Sequence, residues 1–464
     1  GTVTLAVLNE NTKCEGTSGD SCNMVFNDAG FQFIGATTTD VFANQLAQSN
    51  FSGAQLRAVK TDINDGIGVC VAALEGTQTV SFGMSCDDPG SCVTNIETGS
   101  GQIVAGSTSN VPLVFDANGI ASLSDFSYSD AGQISLSVES DIDGAGVATG
   151  STQFVVIPDR LSLTTSATST FARAGESVEI NLSALGSQGA VLPNYQPGNL
   201  QLAVNRLLPI GGGAVDGVLT YAQSDTLAVA ETASFYDSGI NQTKANVSVS
   251  SGTYMFEAHY NEYGQISMDV KDASFFGNII TSATAGGNSP VTLGLFIPAY
   301  FDVQQNTPEL ASACNVTSGF TYLGQPTSFA MPVQLTVTAK NSVGQTMQNY
   351  QDDSVWTWLE SAQVSDIQLS DSNVNGTVSF HTSPSIDVIE NPFLGSRTLT
   401  LVGGQVLYSK SSGPYAAFAG SLNVDFMPSF MTNNSYAGAP ICYHQSYDAN
   451  NPDDCDTQSN LADL

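Results

Sequence analysis

The stretch Gly294–Val303, GLFIPAYFDV, decides how this chain is divided. Proline has no backbone N–H to give a sheet ladder, so Ile297–Pro298 belongs at a strand end or a joint rather than inside a central strand. The same setting recurs at Ile157–Pro158 in FVVIPDRLSL and at Met427–Pro428 in VDFMPSFM. The three prolines stand 140 and 130 residues apart. That is a domain-sized spacing, as tandem copies of one fold produce.

Two further segment pairs repeat at compatible offsets. Tyr128–Val138, YSDAGQISLSV, matches Tyr260–Val270, YNEYGQISMDV, and Val178–Gln196, VEINLSALGSQGAVLPNYQ, matches Val333–Gln351, VQLTVTAKNSVGQTMQNYQ. Within these units the apolar period is two. Val333, Leu335 and Val337 alternate with Gln334, Thr336 and Thr338, the pattern of a half-buried strand. Turn signals such as DANG (116–119), DGAG (143–146) and NSVG (341–344) separate the runs. The expected fold is all-β: three tandem immunoglobulin-like β-sandwich domains in an elongated rod. The first spans 1–157, including an N-terminal strand and disulfide loop. The second spans 158–297 and the third 298–431, each closed by its proline run, and 432–464 forms an acidic, disulfide-containing appendage. Thr38–Gln48, TTDVFANQLAQ, is the one segment with a helical pattern. The strand TVTLAVL near the N-terminus is expected to complete the first sandwich or to pair with a neighbouring chain.

Charged residues are 12% of the chain and hydrophobic ones 41%, so packed cores are affordable only if Ser, Thr, Asn, Gln and Gly cover the surface. The net charge of −32 repels phosphate backbones and anionic lipid, which excludes nucleic acid as a partner. Screening in a saline exterior shortens the repulsion among the carboxylates. No apolar run is long enough to span a membrane as a helix. The chain opens on Gly1 rather than Met, as a processed or truncated product would.

Eight cysteines, an even number with no C-x-x-C pair and only three histidines beside them, point to disulfides in an oxidising compartment rather than to zinc. Spacing alone does not fix the pairing. Proximity favours Cys14–Cys22, Cys442–Cys455 and a turn closed by Cys86–Cys92 in CDDPGSC, which leaves Cys70 for Cys314.

LRAVKTD, GVCVA, CDDPGSC, FIPAYFDV and FTYLGQPTSFAMPVQLTVTAKNSVGQTMQNY together resemble the large C-terminal region of MshQ-like proteins, encoded with the mannose-sensitive haemagglutinin type IV pilus of Gram-negative bacteria. The likeness runs from about Phe31 to Met431 and is most specific over Gly294–Tyr350. It implies an exported, pilus-associated protein placed at or near a pilus tip, with pilus or other cell-surface proteins as partners. The family brings no catalytic motif to carry over. The tail with Cys442 and Cys455 departs from it.

Candidate sites are few. Asp116 and Asn118 in FDANG, and Asp141 and Asp143 in DIDGAG, resemble the start of oxygen-rich Ca²⁺ loops, although neither is followed by the Glu that completes an EF-hand. Ordinary Asx turn chemistry accounts for the same residues. DANNPDDCD (448–456) is a third acidic candidate on charge density alone. Trp356 and Trp358 in DSVWTWLE lie on one side of a strand, either as a platform for sugar rings or as core. His259 replaces Ser127 of the first copy, which speaks against a catalytic role. The expectation is a non-enzymatic, extracellular structural and adhesive protein forming a stalk or tip. A glycan-binding adhesin, calcium-dependent or not, is the alternative, and a secreted glycan-active hydrolase the remote one.

Overall fold

The computed structural model describes residues 2–4, 23–25, 28–37, 41–62, 69–165, 171–211, 213–282, 290–312, 320–351, 362–371, 376–391, 394–410, 412–413, 416, 418, 422–426, 435–436 and 439–443. The chain is all-β. The only helical element among the described residues is a single 3₁₀ turn, Val364–Asp366.

The first unit is a sandwich. One sheet orders Thr108–Phe115, Gly76–Asp88, Gly132–Ile142, Gly146–Ile157 and Gln45–Leu46; the other orders Ile120–Ser122, Gln55–Asp62 and Ala29–Ile34, with Val69–Ala72 alongside Gln55–Asp62. Alternation drives this packing. In Gly132–Ile142 the side chains of Ile134, Leu136, Val138 and Ile142 are buried, with the serines and Glu139 turned outward. The Phe33 and Phe82 rings meet edge-on at 6.4 Å from opposite sheets, and Phe42, Phe51, Phe126 and Phe154 continue the aromatic core.

The second unit repeats the plan with two six-stranded sheets. One holds Arg160–Thr165, Ser177–Leu185, Thr253–Tyr260, Gly217–Tyr221, Asp225–Val229 and Ser248–Ser250. The other holds Ala172–Arg173, Val291–Ile297, Gly264–Phe275, Leu200–Leu208, Tyr236–Asp237 and Asn278–Thr281. Tyr260 and Phe296 meet across them at 5.1 Å. The third unit is built on the sheet Ser385–Asn391, Ser396–Val402, Gln334–Lys340, Tyr300–Gln305 and Cys442–Tyr443, with smaller two-stranded ladders around it. At Pro158 and Pro298 the chain leaves one sheet and enters the next: Gly146–Ile157 gives way to Arg160–Thr165, and Val291–Ile297 to Tyr300–Gln305.

Three expectations are corrected. The described part of the 38–48 segment, 41–48, is not a helix: Val41–Asn44 is irregular and Gln45–Leu46 is a strand paired in parallel with Val156–Ile157. Phe42 is drawn into the core between Phe33 and Phe154, a tertiary contact that overrides weak local propensity. The N-terminal strand Thr2–Thr4 pairs with Asn23–Val25 in a sheet of its own rather than joining the sandwich. The C-terminal segment is not wholly separate from the third unit, because Cys442–Tyr443 pairs in parallel with Tyr300–Phe301 and Ile441 and Cys442 are buried.

Candidate functional site: the repeated inter-domain junction

The described metal candidates do not form a cluster. Asp116 Oδ1 accepts the N–H groups of Asn118 at 2.9 Å and Ile120 at 2.8 Å, so the carboxylate caps its own turn, where the chain passes from one sheet to the other. The Ile120 bond, followed by those of Asn118, outweighs desolvation and holds the carboxyl below its ordinary range. Asp141 and Asp143 are exposed at the hairpin joining Gly132–Ile142 to Gly146–Ile157, at the same end of the sheet as Asp116. Among the described residues no three His, Cys, Asp or Glu side chains come together as a metal site. Trp356, Trp358, the 448–456 run, Cys14, Cys22, Cys314 and Cys455 lie outside the described residues.

Of the described cysteines, Cys86 and Cys92 are bonded to each other, as their spacing suggests. Cys442 is bonded to a cysteine outside the described residues. Cys70 is a free, exposed thiol, which corrects its assignment to Cys314. It sits on the edge strand Val69–Ala72 of the first sandwich, opposite Thr61.

What the structure does bring together is the two sets of repeated sequence segments, which meet at both domain junctions in the same way. At the first, Ala47 N–H bonds Ile157 O of the last strand, and Ala47 O accepts Ser187 N–H of the next domain at 3.0 Å. At the second, Ala174 N–H bonds Ile297 O, and Ala174 O accepts Ser342 N–H at 2.9 Å. The following residues also correspond, with Gln48 N–H on Tyr128 O and Gly175 N–H on Tyr260 O.

A buried acid sits beside each of these contacts. Asp130 Oδ1 accepts Asn194 N–H at 3.0 Å from the second domain and Ala131 N–H at 2.8 Å from its own. Glu262 accepts Gln348 and Asn349 N–H from the third domain, each at 2.8 Å, and Tyr263 N–H from its own at 3.3 Å. Asp130 and Glu262 occupy the same place in the YSDAGQIS and YNEYGQIS copies, and Asn194 and Asn349 the same place in PNYQ and QNYQ. Burial pushes the Asp130 carboxyl up, and pushes Glu262 up to about 7 against the pull of its three backbone donors.

The asparagine side chains then reach back. Asn194 Nδ2 donates to Ser91 O at 2.9 Å, inside the loop closed by Cys86–Cys92. Asn349 exchanges two bonds with Val215 in the loop after Leu208. Cys86 opposes Ile134 in its sheet and Arg206 opposes Ile266, so the two occupy equivalent positions. Where the first junction fixes its receiving loop with a disulfide, the second uses buried Arg206, which donates to Pro209 O at 2.9 Å and faces Asp216 at 3.7 Å. Each junction adds contacts of its own. Gln48 bonds the Ala190 backbone through both amide atoms, and Tyr263 meets Tyr350 edge-on at 5.1 Å. Such an arrangement fixes one domain on the next.

The residues that build it were missed in the sequence, yet a signal was there: the acid and the asparagine recur at the same offsets as the strands around them.

Residues 11–152 match the family model described as "Domain of unknown function (DUF6701), first Ig-like domain", and residues 262–458 match "DUF6701, third domain". No curated protein matches the chain. Among solved structures it is similar to the Yersinia pseudotuberculosis adhesin InvE, with 12% identity, a TM-score of 0.27 and 66% of each chain covered. It is also similar to a tetra-tandem repeat from the extending region of a large adhesion protein, with 12% identity, a TM-score of 0.26, and 86% of this chain and 99% of that one covered. The C-terminal domain of the Streptococcus pyogenes antigen I/II-family protein AspA matches at 12% identity and a TM-score of 0.18, over 55% of this chain and 98% of that one. TM-scores this low do not define a shared domain arrangement.

Proposed function

We propose that this chain, which carries DUF6701 domains with an Ig-like first domain, is a structural component of an extracellular adhesive apparatus: a stalk that holds a tip or surface contact away from the cell, associated with a type IV pilus. The observation that carries the reading is the junction, whose backbone contacts and buried acid recur at both places. A head-to-tail contact used repeatedly propagates domains in one direction. Load passes from one domain's last strand through a two-residue link that begins with proline into the next domain's first strand, where it shears a ladder of antiparallel bonds. The Cys86–Cys92 bond suits an oxidising compartment, and the acidic surface suits a saline exterior. The pilus association rests on the resemblance to MshQ-like proteins.

The test is immunogold labelling of intact cells together with a deletion strain assayed for attachment under flow. The reading expects label outside the cell on or beside pili, and loss of attachment restored by the chain but not by a Glu262→Ala/Asn349→Ala double variant exported at equal level. Label confined within the envelope, or attachment unchanged by deletion, overturns it.

A further inference from the structure

We propose that each junction closes with uptake of one proton, on Glu262 at the second and Asp130 at the first, so that the domains clasp more tightly as the medium acidifies. Both carboxyls are buried, at 5% and 0% exposure, and both take backbone donors from the neighbouring domain. Opening a junction removes those donors and returns the carboxyl to water.

Among the described residues no cation forms an ion pair with either group. Around Glu262 the charged side chains are engaged elsewhere. Arg206 bonds Pro209 O and faces Asp216; Arg173 reaches Pro298 O and Ala299 O; Arg397 reaches Gln351 O; and Lys340 bonds Thr346 Oγ1. His259 Nδ1 meets Gly175 O, and Glu176 lies in the same turn as Arg173. The Tyr260 phenol, pushed well above its ordinary range chiefly by burial, adds no charge.

Around Asp130 the neighbours are the Tyr128 phenol, itself raised chiefly by burial, together with Thr94 and the Cys86–Cys92 bond. Asp130 Oδ2 is buried without a hydrogen-bond partner. An ionised oxygen left so is costly, whereas a protonated one carries no charge to solvate.

The coupling has a definite sign. A carboxyl whose affinity for the proton rises on closure favours the closed state as pH falls. For Glu262, raised from 4.5 to about 7, the closure equilibrium changes by roughly 300-fold over that window. The inference stands apart from the functional reading, since it is tested on the isolated chain.

The experiment is calorimetric unfolding of the full chain between pH 5 and 8.5, with limited proteolysis at the 298 linker. The transition involving the second and third domains is expected to fall in temperature, and linker cleavage to rise severalfold, as pH rises through 7. Glu262→Gln, which cannot titrate, is expected to flatten both. A second measurement needs no variant: carboxyl ¹³C resonances of Glu- and Asp-labelled wild-type chain should show one Glu titrating near 7 and one Asp above the ordinary range. A wild-type chain with no such resonances, or a Glu262→Gln chain that keeps the full pH slope, overturns the proposal.

Discussion

Asn349 and Val215 hold each other in both directions across the second junction: Val215 N–H donates to Asn349 Oδ1 at 2.8 Å, and Asn349 Nδ2 donates to Val215 O at 2.9 Å. The pair imitates one rung of a β-ladder with a side chain in place of a strand. Asn349→Ala removes both bonds and leaves a half-buried N–H and C=O to water, at a cost of about 2 kcal/mol. Calorimetry should show the second and third domains unfolding less cooperatively. Asn194→Ala, which removes one side-chain bond at the first junction, should cost about half as much.

Reduction of Cys86–Cys92, or the double substitution to Ser, frees the loop that offers Ser91 O to Asn194. Closing so short a loop stabilises by about 2 kcal/mol in the chain-entropy account. Hydrogen exchange read by mass spectrometry should increase over 86–94 and 187–196, while 209–216 and 342–351, fixed by Arg206, stay as protected as before.

Gly132 and Gly264 begin the two GQIS copies with φ of +137° and +131°. A Cβ at either position would collide with a backbone carbonyl, that of Asp88 or Leu208, each just before a proline. Alanine at Gly264 combines an unfavourable backbone conformation with this clash, so a loss of about 2–4 kcal/mol is expected, measured by denaturant unfolding.

Stability against pH has a sign that can be worked out. Because burial raises the folded-state value of Glu262 to about 7 from 4.5, the native chain binds this proton more tightly than the unfolded chain. Its contribution is complete below about pH 4.5, falls by roughly 3 kcal/mol as pH rises through 7, and is constant beyond. Asp87 behaves oppositely. Burial raises it, but hydrogen bonds from Ser135, Gln153 and Ser85 outweigh this and hold it low, so its contribution is present above the ordinary carboxylate range and lost in acid. Thermal midpoints across pH 3–9 should therefore peak on the mildly acidic side of neutral.

Tyr195 Oη donates to buried Asp272 at 2.9 Å, and Asp272 also accepts the N–H groups of Gly198, Asn199 and Ser274. Tyr195→Phe removes one donor and keeps the ring between Tyr254 and Phe275. A loss of about 1–2 kcal/mol confined to the second domain is expected from urea unfolding.

The sequence by itself determined the all-β class, the strands and the changes of sheet at Pro158 and Pro298. These depend on local physics: a period of two buries one face, and proline cannot donate to a ladder. It also held the Cys86–Cys92 bond, because six residues around a Pro-Gly turn leave the two sulfurs little choice of distance. Only the tertiary structure decided the rest. Phe42 took residues 41–48 out of any helix by entering a core that includes residues far along the chain. The free Cys70 follows from its place on an edge strand. The junction was beyond reach for the same reason: Asp130 meets Asn194 across 64 residues and Glu262 meets Asn349 across 87. Matching offsets reveal that such residues repeat, but only the packing of one domain on the next shows that they touch and lose their water.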